Sequence, residues 1–185
     1  MQIEVQRFLR LIEMQHSLLF VDIESTGLKG DYNSALVTAL KPYGKPATVL
    51  NVKKPGYDKA LVMETKAIME GADCWVTYYG KGFDLPFLNT RLLKWGLDPI
   101  IPKPHIDLYY SLKYRLLTGR KSQGHLLAWL NTPENKMTVG ADVWTMASGG
   151  NTDSIMTLRT RCESDVKGLE HLYRRTSHLI RDITR

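Results

Sequence analysis

The segment from Ser17 to Ile23 limits what this chain can fold into more than any other. It is apolar apart from Asp22, follows no helical stripe and is bounded by Ser25-Thr26-Gly27, so at this length it predicts a buried strand. Ser34 to Lys41 and Ala47 to Val52 flank Pro42-Tyr43-Gly44-Lys45, whose proline and glycine supply turn dihedrals, and they predict a hairpin following that strand. After three consecutive strands the pattern changes. Ala60 to Gly71 reads as a helix closed by its glycine, and Cys74 to Tyr78 as a short strand. Gly80-Lys81-Gly82 leads into a second helix, with Pro86 in its first turn and Gly96 at its end, so Asp84 falls at or just before a helix N-terminus. Pro99, Pro102 and Pro104 make an extended connection to His105-Ile106, and Asp107 can cap a helix from Leu108 to about Leu117. A less regular stretch is expected to about residue 153. The last helix then starts near Ile155 and ends in a basic tail with Arg174, Arg175, Arg181 and Arg185. Residues 1–16 are expected to form a separate amphipathic helix, with Val5, Phe8, Leu9 and Ile12 at helical spacing, that docks on the domain formed by 17–185, the favoured use, or on a partner.

The 185 residues suit a single domain of ordinary globular composition, and neither an internal repeat nor a composition break marks a second one. Cys74 and Cys162 lie far apart with no CxxC pair, which argues against a disulfide framework or a zinc site and for reduced thiols in a cytoplasm. No apolar run approaches the roughly eighteen residues of a membrane span, so a soluble, cytoplasmic protein with no membrane partner is expected. The formal net charge of +6 favours a polyanionic partner, nucleic acid or an acidic surface.

Carboxylates narrow that choice. In Asp22-Ile23-Glu24, period-two geometry puts both acids on one face of the first strand's end, where they can grip one cation. Such a triplet arises about half a time by chance in a chain of this composition, so its position is the argument, and a pair of solvated strand-end acids is the alternative. In the last helix Leu158, Cys162, Val166, Leu169 and Tyr173 define an apolar stripe, and Asp165 falls within it. A carboxylate on an inner face needs a partner: either Arg161, one turn earlier, or a cation shared with Asp22 and Glu24. Asp84 would be the fourth acid. Four oxygen donors without His or Cys suit Mg²⁺ or Mn²⁺, and two such ions about 4 Å apart can activate water and stabilise the leaving oxygen in phosphodiester hydrolysis.

Three segments carry a resemblance. Leu18-Leu-Phe-Val-Asp-Ile-Glu-Ser-Thr-Gly-Leu28 resembles the first exonuclease motif of the ribonuclease H-like DEDD nucleases, the DnaQ-like superfamily. Tyr78-Tyr-Gly-Lys-Gly-Phe-Asp-Leu-Pro-Phe-Leu88 is similar to their second motif and Arg161-Cys-Glu-Ser-Asp-Val166 to their third. With His105-Ile-Asp-Leu-Tyr109 between them, the short spacing is most similar to the YprB-type domains of bacteria, archaea and phages, over roughly residues 17 to 175. The resemblance implies a ribonuclease H-like α/β fold, a mixed five-stranded sheet of three antiparallel strands then two parallel ones, flanked by helices. It implies a 3′-5′ exonuclease on single-stranded DNA or RNA, working by two metal ions, in the (host) cytoplasm beside replication or repair proteins. Asp22, Glu24, Asp84 and Asp165 would be the catalytic, metal-binding acids; Thr26 and Gly27 would contact the terminal nucleotide, and Leu28 would wedge against its base. Many relatives place a Tyr four, or a His five, residues before the last acid as general base; here Arg161 and Thr160 stand there. The asparagine common five residues before the third acid is Tyr79, which can stack on a base. Hydrolysis remains expected, with Arg161 contacting phosphate. The alternatives are a structure-specific endonuclease and a non-catalytic nucleic-acid-binding module that lost its base.

Lys81, Lys113, Arg115, Arg120 and Lys121 are candidates for a phosphate track or a solvated basic face, with Lys81 the first choice for substrate because it is near Asp84. Asp107 is a fifth acid or, better, an N-cap. His105, His125 and His171 are expected to be structural, and Trp75, Trp95, Trp129 and Trp144 to serve core or subunit contacts.

Overall fold

The computed structural model describes residues 2–14, 17–134, 137–181 and 183. Five strands form one mixed sheet: β1 (Leu18–Ser25), β2 (Ala35–Pro42), β3 (Thr48–Asn51), β4 (Cys74–Thr77) and β5 (His105–Asp107), in the order β3-β2-β1-β4-β5. β1–β2 and β2–β3 pair antiparallel, whereas β4 joins β1, and β5 joins β4, in parallel. This is the expected architecture. β1 is the central strand, and it is apolar from Leu18 to Val21 because both its faces are covered there.

The register sorts the helices: α1 (Gln2–Met14), α2 (Lys59–Glu70), α3 (Asp84–Lys94), α4 (Leu108–Leu112), α5 (Gln123–Trp129), α6 (Ala141–Ser148) and α7 (Thr152–Thr176). Phe20 pairs with Lys41, and both side chains meet α7, Phe20 edge-on to Tyr173 and Lys41 through Glu170. Ile23 pairs with Thr38, whose hydroxyl meets Thr65 of α2 at 2.8 Å. α7 therefore covers the face bearing Phe20, Asp22 and Glu24, and α2 the opposite one.

Asp58, the residue before α2, joins that layer to α3. Its carboxylate accepts from Arg91 Nε and Nη2, Trp95 Nε1 and the Ala35 N–H, each at 2.8 Å. Arg91 Nη1 also donates to the Gly30 carbonyl at 2.9 Å. Asp58 and Arg91 are both fully buried, and each carboxylate oxygen is satisfied by two donors, the condition under which a buried ion pair holds. Burial raises the Asp58 pKa, but the hydrogen bonds and the guanidinium outweigh it and the carboxyl ends below its ordinary value.

Four expectations change. The helix after Asp107 stops at Leu112 rather than near Leu117: one further turn closes from the Leu116 N–H to the Leu112 carbonyl, and Leu117 then stands fully exposed with nothing to bury it. The stretch expected to be irregular contains α5, capped by Ser122, and α6; at 7 and 8 residues they are too short for a clear helical period. α7 begins at Thr152, capped by the Asn151 side chain, and reaches far enough to include Arg174 and Arg175, so these belong to the helix rather than a tail. Arg174 pairs with Glu170 at 2.6 Å and lies 4.5 Å from the Tyr43 ring centre. Trp129 is 53% exposed and so is not a core residue, whereas Trp75 is. Val5 and Phe8 of α1 pack on the core, and Gln6 donates to the Ser177 and Ile180 carbonyls at 3.1 and 3.2 Å. The side chains of Leu9 and Ile12, and Arg185, lie outside the described residues. Both cysteines are buried and free, and among the described residues no helix is long and apolar enough to cross a membrane.

Candidate active site

β4 pairs with β1 only from Leu18 to Phe20, while β2 follows β1 to Ser25. Asp22 and Glu24 therefore sit past the end of the parallel pairing, at the carboxyl end of β1, where open α/β sheets form ligand crevices. An irregularity between Glu24 and Ser25 ends the regular ladder there. α7 crosses the same face and brings Asp165. One ligand oxygen from each of Asp22, Glu24 and Asp165 lies within 4.8 Å of the others. Asp84, the first residue of α3, is not in that triplet but lines the same cavity of about 450 Å³, together with Leu28, Tyr79 and Arg161. Glu24, Asp84 and Asp165 are buried and Asp22 is half-buried.

One guanidinium faces these four acids. Arg161 Nε donates to Glu24 Oε1 at 2.6 Å, and Nη2 lies 3.5 Å from Asp165 Oδ2, so the closer partner is on β1 rather than one turn along the helix. The two sequence readings of Asp165 thus coexist: it neighbours both Arg161 and the β1 acids. Trp144 of α6 donates from Nε1 to Glu24 Oε2 at 3.0 Å, and its ring centre lies 5.2 Å from Arg161 Cζ. Burial raises the Glu24 pKa against the pull of Arg161 and Trp144, with Asp165 adding to the rise. Burial likewise pushes Asp84 up to about 7, with Asp107 and Glu24 reinforcing it and the N–H groups of Ile23 and of Asp84 itself opposing. Cys162 donates from Sγ to Asp22 Oδ2 at 3.3 Å; burial and then Asp22 hold its thiol well above the ordinary range, so it serves as a donor and not as a thiolate ligand.

The motif loops divide their tasks. The Thr26 hydroxyl faces Asn33 Oδ1 at 3.2 Å and accepts the Ser34 N–H at 3.1 Å, so it braces the loop. At Gly27 a Cβ would lie 2.6 Å from Asn33 Oδ1, which explains glycine there. Thr26, Gly27 and Leu28 line a second cavity of about 400 Å³ that shares Glu24 with the first and is closed by Phe83, Ala141 and Trp144. Leu28 is 78% exposed at the junction of the two. Tyr79 adopts a φ of 66°, unusual for a residue with a side chain, and its N–H is held by Asp107 Oδ1 at 2.9 Å. Asp107 also accepts from the Lys81 N–H at 3.0 Å and caps α4 through the Tyr109 N–H, so it braces two segments as well as capping. Lys81 does not line the acid cavity; its charge acts on His105, a buried ring whose pKa is depressed to about 3 by burial and then by Lys81. His105 bonds Thr77 at 2.8 Å and is structural. Thr160, at the other position where relatives carry a base, bonds the Met156 carbonyl of its own helix at 3.2 Å.

Sequence reasoning missed Trp144 and Gln123, which donates to the Asp165 carbonyl at 2.8 Å; both sit on helices too short to detect. Cys162 was detectable, since it precedes Asp165 by three residues on one helical face.

A family model of the RNase H superfamily, RNase_H_2, matches residues 19–177, which takes in every acid of the cavity. The chain belongs to the RNase H superfamily. Among solved structures, this RNase H-like chain is similar to part of the family B DNA polymerase from the hyperthermophilic archaeon Pyrobaculum calidifontis. The TM-score is 0.62 and the identity 14%, over 84% of this chain and 24% of that one. That likeness is one of fold, and the RNase H-like chain spans about a quarter of the polymerase. No curated protein sequence matches.

Proposed function

We propose that the protein is a metal-dependent nuclease, a DEDD-type 3′-5′ exonuclease on single-stranded DNA or RNA, with residues 17–185 as the catalytic unit and residues 1–16 as an accessory helix. The carrying observation is the convergence of Asp22, Glu24 and Asp165 oxygens within 4.8 Å, in a cavity that Asp84 also lines. An all-oxygen donor set fits Mg²⁺ or Mn²⁺, and the burial, reinforced by Asp165, that raises Glu24 is a cost a divalent ion would offset. When bound, such ions supply an activated water and stabilise charge on the leaving oxygen.

The chain's own groups do the remainder. Asp22 and Glu24 on β1 and Asp165 on α7 hold the cations, with Asp84 at the α3 N-terminus. Leu28 stands where a terminal base would enter the second cavity, and Arg161, already inside the acid cluster, is placed to pair a phosphate oxygen. Neither Arg161 nor Thr160 can serve as general base, so proton removal from water falls to the acids and the solvent. Replication or repair proteins fit as partners of such an activity.

The bond from Arg161 to Glu24 favours a second reading, in which the guanidinium substitutes for a cation and the domain binds nucleic acid without cutting it. End-labelled single and double strands of DNA and RNA, incubated with Mn²⁺, Mg²⁺ or EDTA, separate these. Metal-dependent shortening from the 3′ end, abolished in Asp22→Ala and Asp165→Ala, is expected. Internal fragments would indicate an endonuclease, and binding without any cleavage would establish the second reading.

A further inference from the structure

A row of exposed aromatic rings starts at the wall of the acid cavity and leads outward along α4. Tyr79, which lines the cavity, is 45% exposed and stacks on Tyr110 with ring centres 5.8 Å apart and planes inclined by 21°. Tyr109 meets both edge-on, at 5.1 and 5.2 Å, and fixes the pair from beneath. Lys113 Nζ lies 4.6 Å from the ring centres of both Tyr110 and Tyr114, so an ammonium separates the two rings. Tyr114 is 85% exposed, and Lys121 Nζ, which donates to the Lys113 carbonyl, lies 5.9 Å from its ring centre. Among the described residues no carboxylate pairs with Lys113 or Lys121.

The rings keep a water-facing side, and among the described residues no carboxylate competes with an incoming anion for the two ammonium groups. The alternation of ring and cation suits one kind of polymer, an unpaired nucleic-acid strand, whose base faces stack on aromatics while its phosphates meet the lysines. A duplex offers no free base faces. The Tyr79 backbone is held by Asp107 through its N–H, and its ring lies over Gly82, where a Cβ would come within 2.5 Å of it. We infer that Tyr79, Tyr110 and Tyr114, with Lys113 and Lys121, form a stacking track for unpaired bases of a strand whose end enters the acid cavity. Only the last clause rests on the nuclease reading.

The test is binding by metal-stripped protein in EDTA, followed by fluorescence anisotropy on a labelled single strand of DNA, the same strand of RNA, and a blunt duplex. Tyr110→Ala and Tyr114→Ala should each weaken single-strand binding about fivefold or more, since stacking on one ring is worth roughly 1–3 kcal/mol per base. Tyr114→Phe should restore it, because the ring and not the hydroxyl is used. Lys113→Met should lower the salt slope by about one. Tyr114 is exposed enough that its removal does not threaten folding. Unchanged single-strand affinity in both alanine variants, or equal affinity for the duplex, would overturn the track. So would self-association of the wild type that is lost in Tyr114→Ala, which would make the rings a contact between copies. Because no metal is present, ring-dependent binding in a protein that never cleaves would leave the track standing and sink the nuclease, and cleavage with ring-independent binding would do the reverse.

Discussion

Two arginines of this protein lie against carboxylates with a tryptophan N–H close by, and they do opposite things. Arg91 meets one acid, Asp58, through two parallel hydrogen bonds, and Trp95 and the Ala35 N–H complete the carboxylate. Arg161 meets Glu24 and Asp165 with Trp144 beside them, but Asp22 and Asp84 share the same cavity. The first cluster balances its charge and depresses its carboxyl pKa against burial; in the second, burial raises Glu24 and Asp84 and neighbouring acids add to the rise. The same residue types thus make a closed staple or a cavity with surplus acids according to whether charge closes within the cluster.

The largest effect that separates them is on activity. Asp22→Asn should cut nuclease turnover by about a thousandfold, an effect of the size expected when several kcal/mol of metal-assisted stabilisation is lost. Its unfolding free energy should move by no more than about 0.5 kcal/mol. Arg91→Ala should do the reverse, costing about 3–5 kcal/mol by leaving Asp58 buried and uncompensated, and lowering Tm by about 10 °C. Urea unfolding of both variants checks this, and a comparable loss of stability in the two would break the distinction.

A smaller effect concerns the guanidinium. Arg161→Gln should tighten Mn²⁺ binding by roughly tenfold in calorimetry, since a like charge leaves the neighbourhood of the ion. Weaker binding in that variant would mean that Arg161 supports the site rather than competing in it.

The smallest effect is a difference in pH slope in the metal-free protein. Asp58 is more acidic folded than unfolded, so its contribution is present above its ordinary value of 3.8 and is lost as pH falls below it. Asp84, raised to about 7, binds its proton more tightly when folded; its contribution therefore falls as pH rises from about 4 through about 7. Denaturant midpoints should accordingly rise between pH 8 and pH 5 and fall below pH 4, and Asp84→Asn should flatten only the upper part.

What the sequence disclosed follows the same division. Strand order, the hairpin and the four acids were legible because each rests on a local pattern: an apolar run, a Pro-Gly turn, a period of two on β1 and of 3.6 on α7. The charge-balanced staple was invisible, since Asp58, Arg91 and Trp95 are separated by 33 and 4 residues and only the packed α2, α3 and β2 bring them to Ala35. Trp144 was invisible for a related reason, because α6 gives too few turns to show which way its indole faces. Lys81, the first choice for phosphate from its nearness to Asp84, does not line the acid cavity, and its N–H is bound by Asp107.

Asp107 carries a consequence for how such a protein can diverge. Its carboxylate holds the N–H groups of Tyr79 and Lys81 on the loop that leads to Asp84, and that of Tyr109 on the helix that bears the ring row. Any replacement at 107 therefore perturbs the approach to Asp84 and the seat of the ring row at once. The two cannot be altered separately through that position, whereas a substitution at the exposed tyrosines and lysines leaves the acids in register.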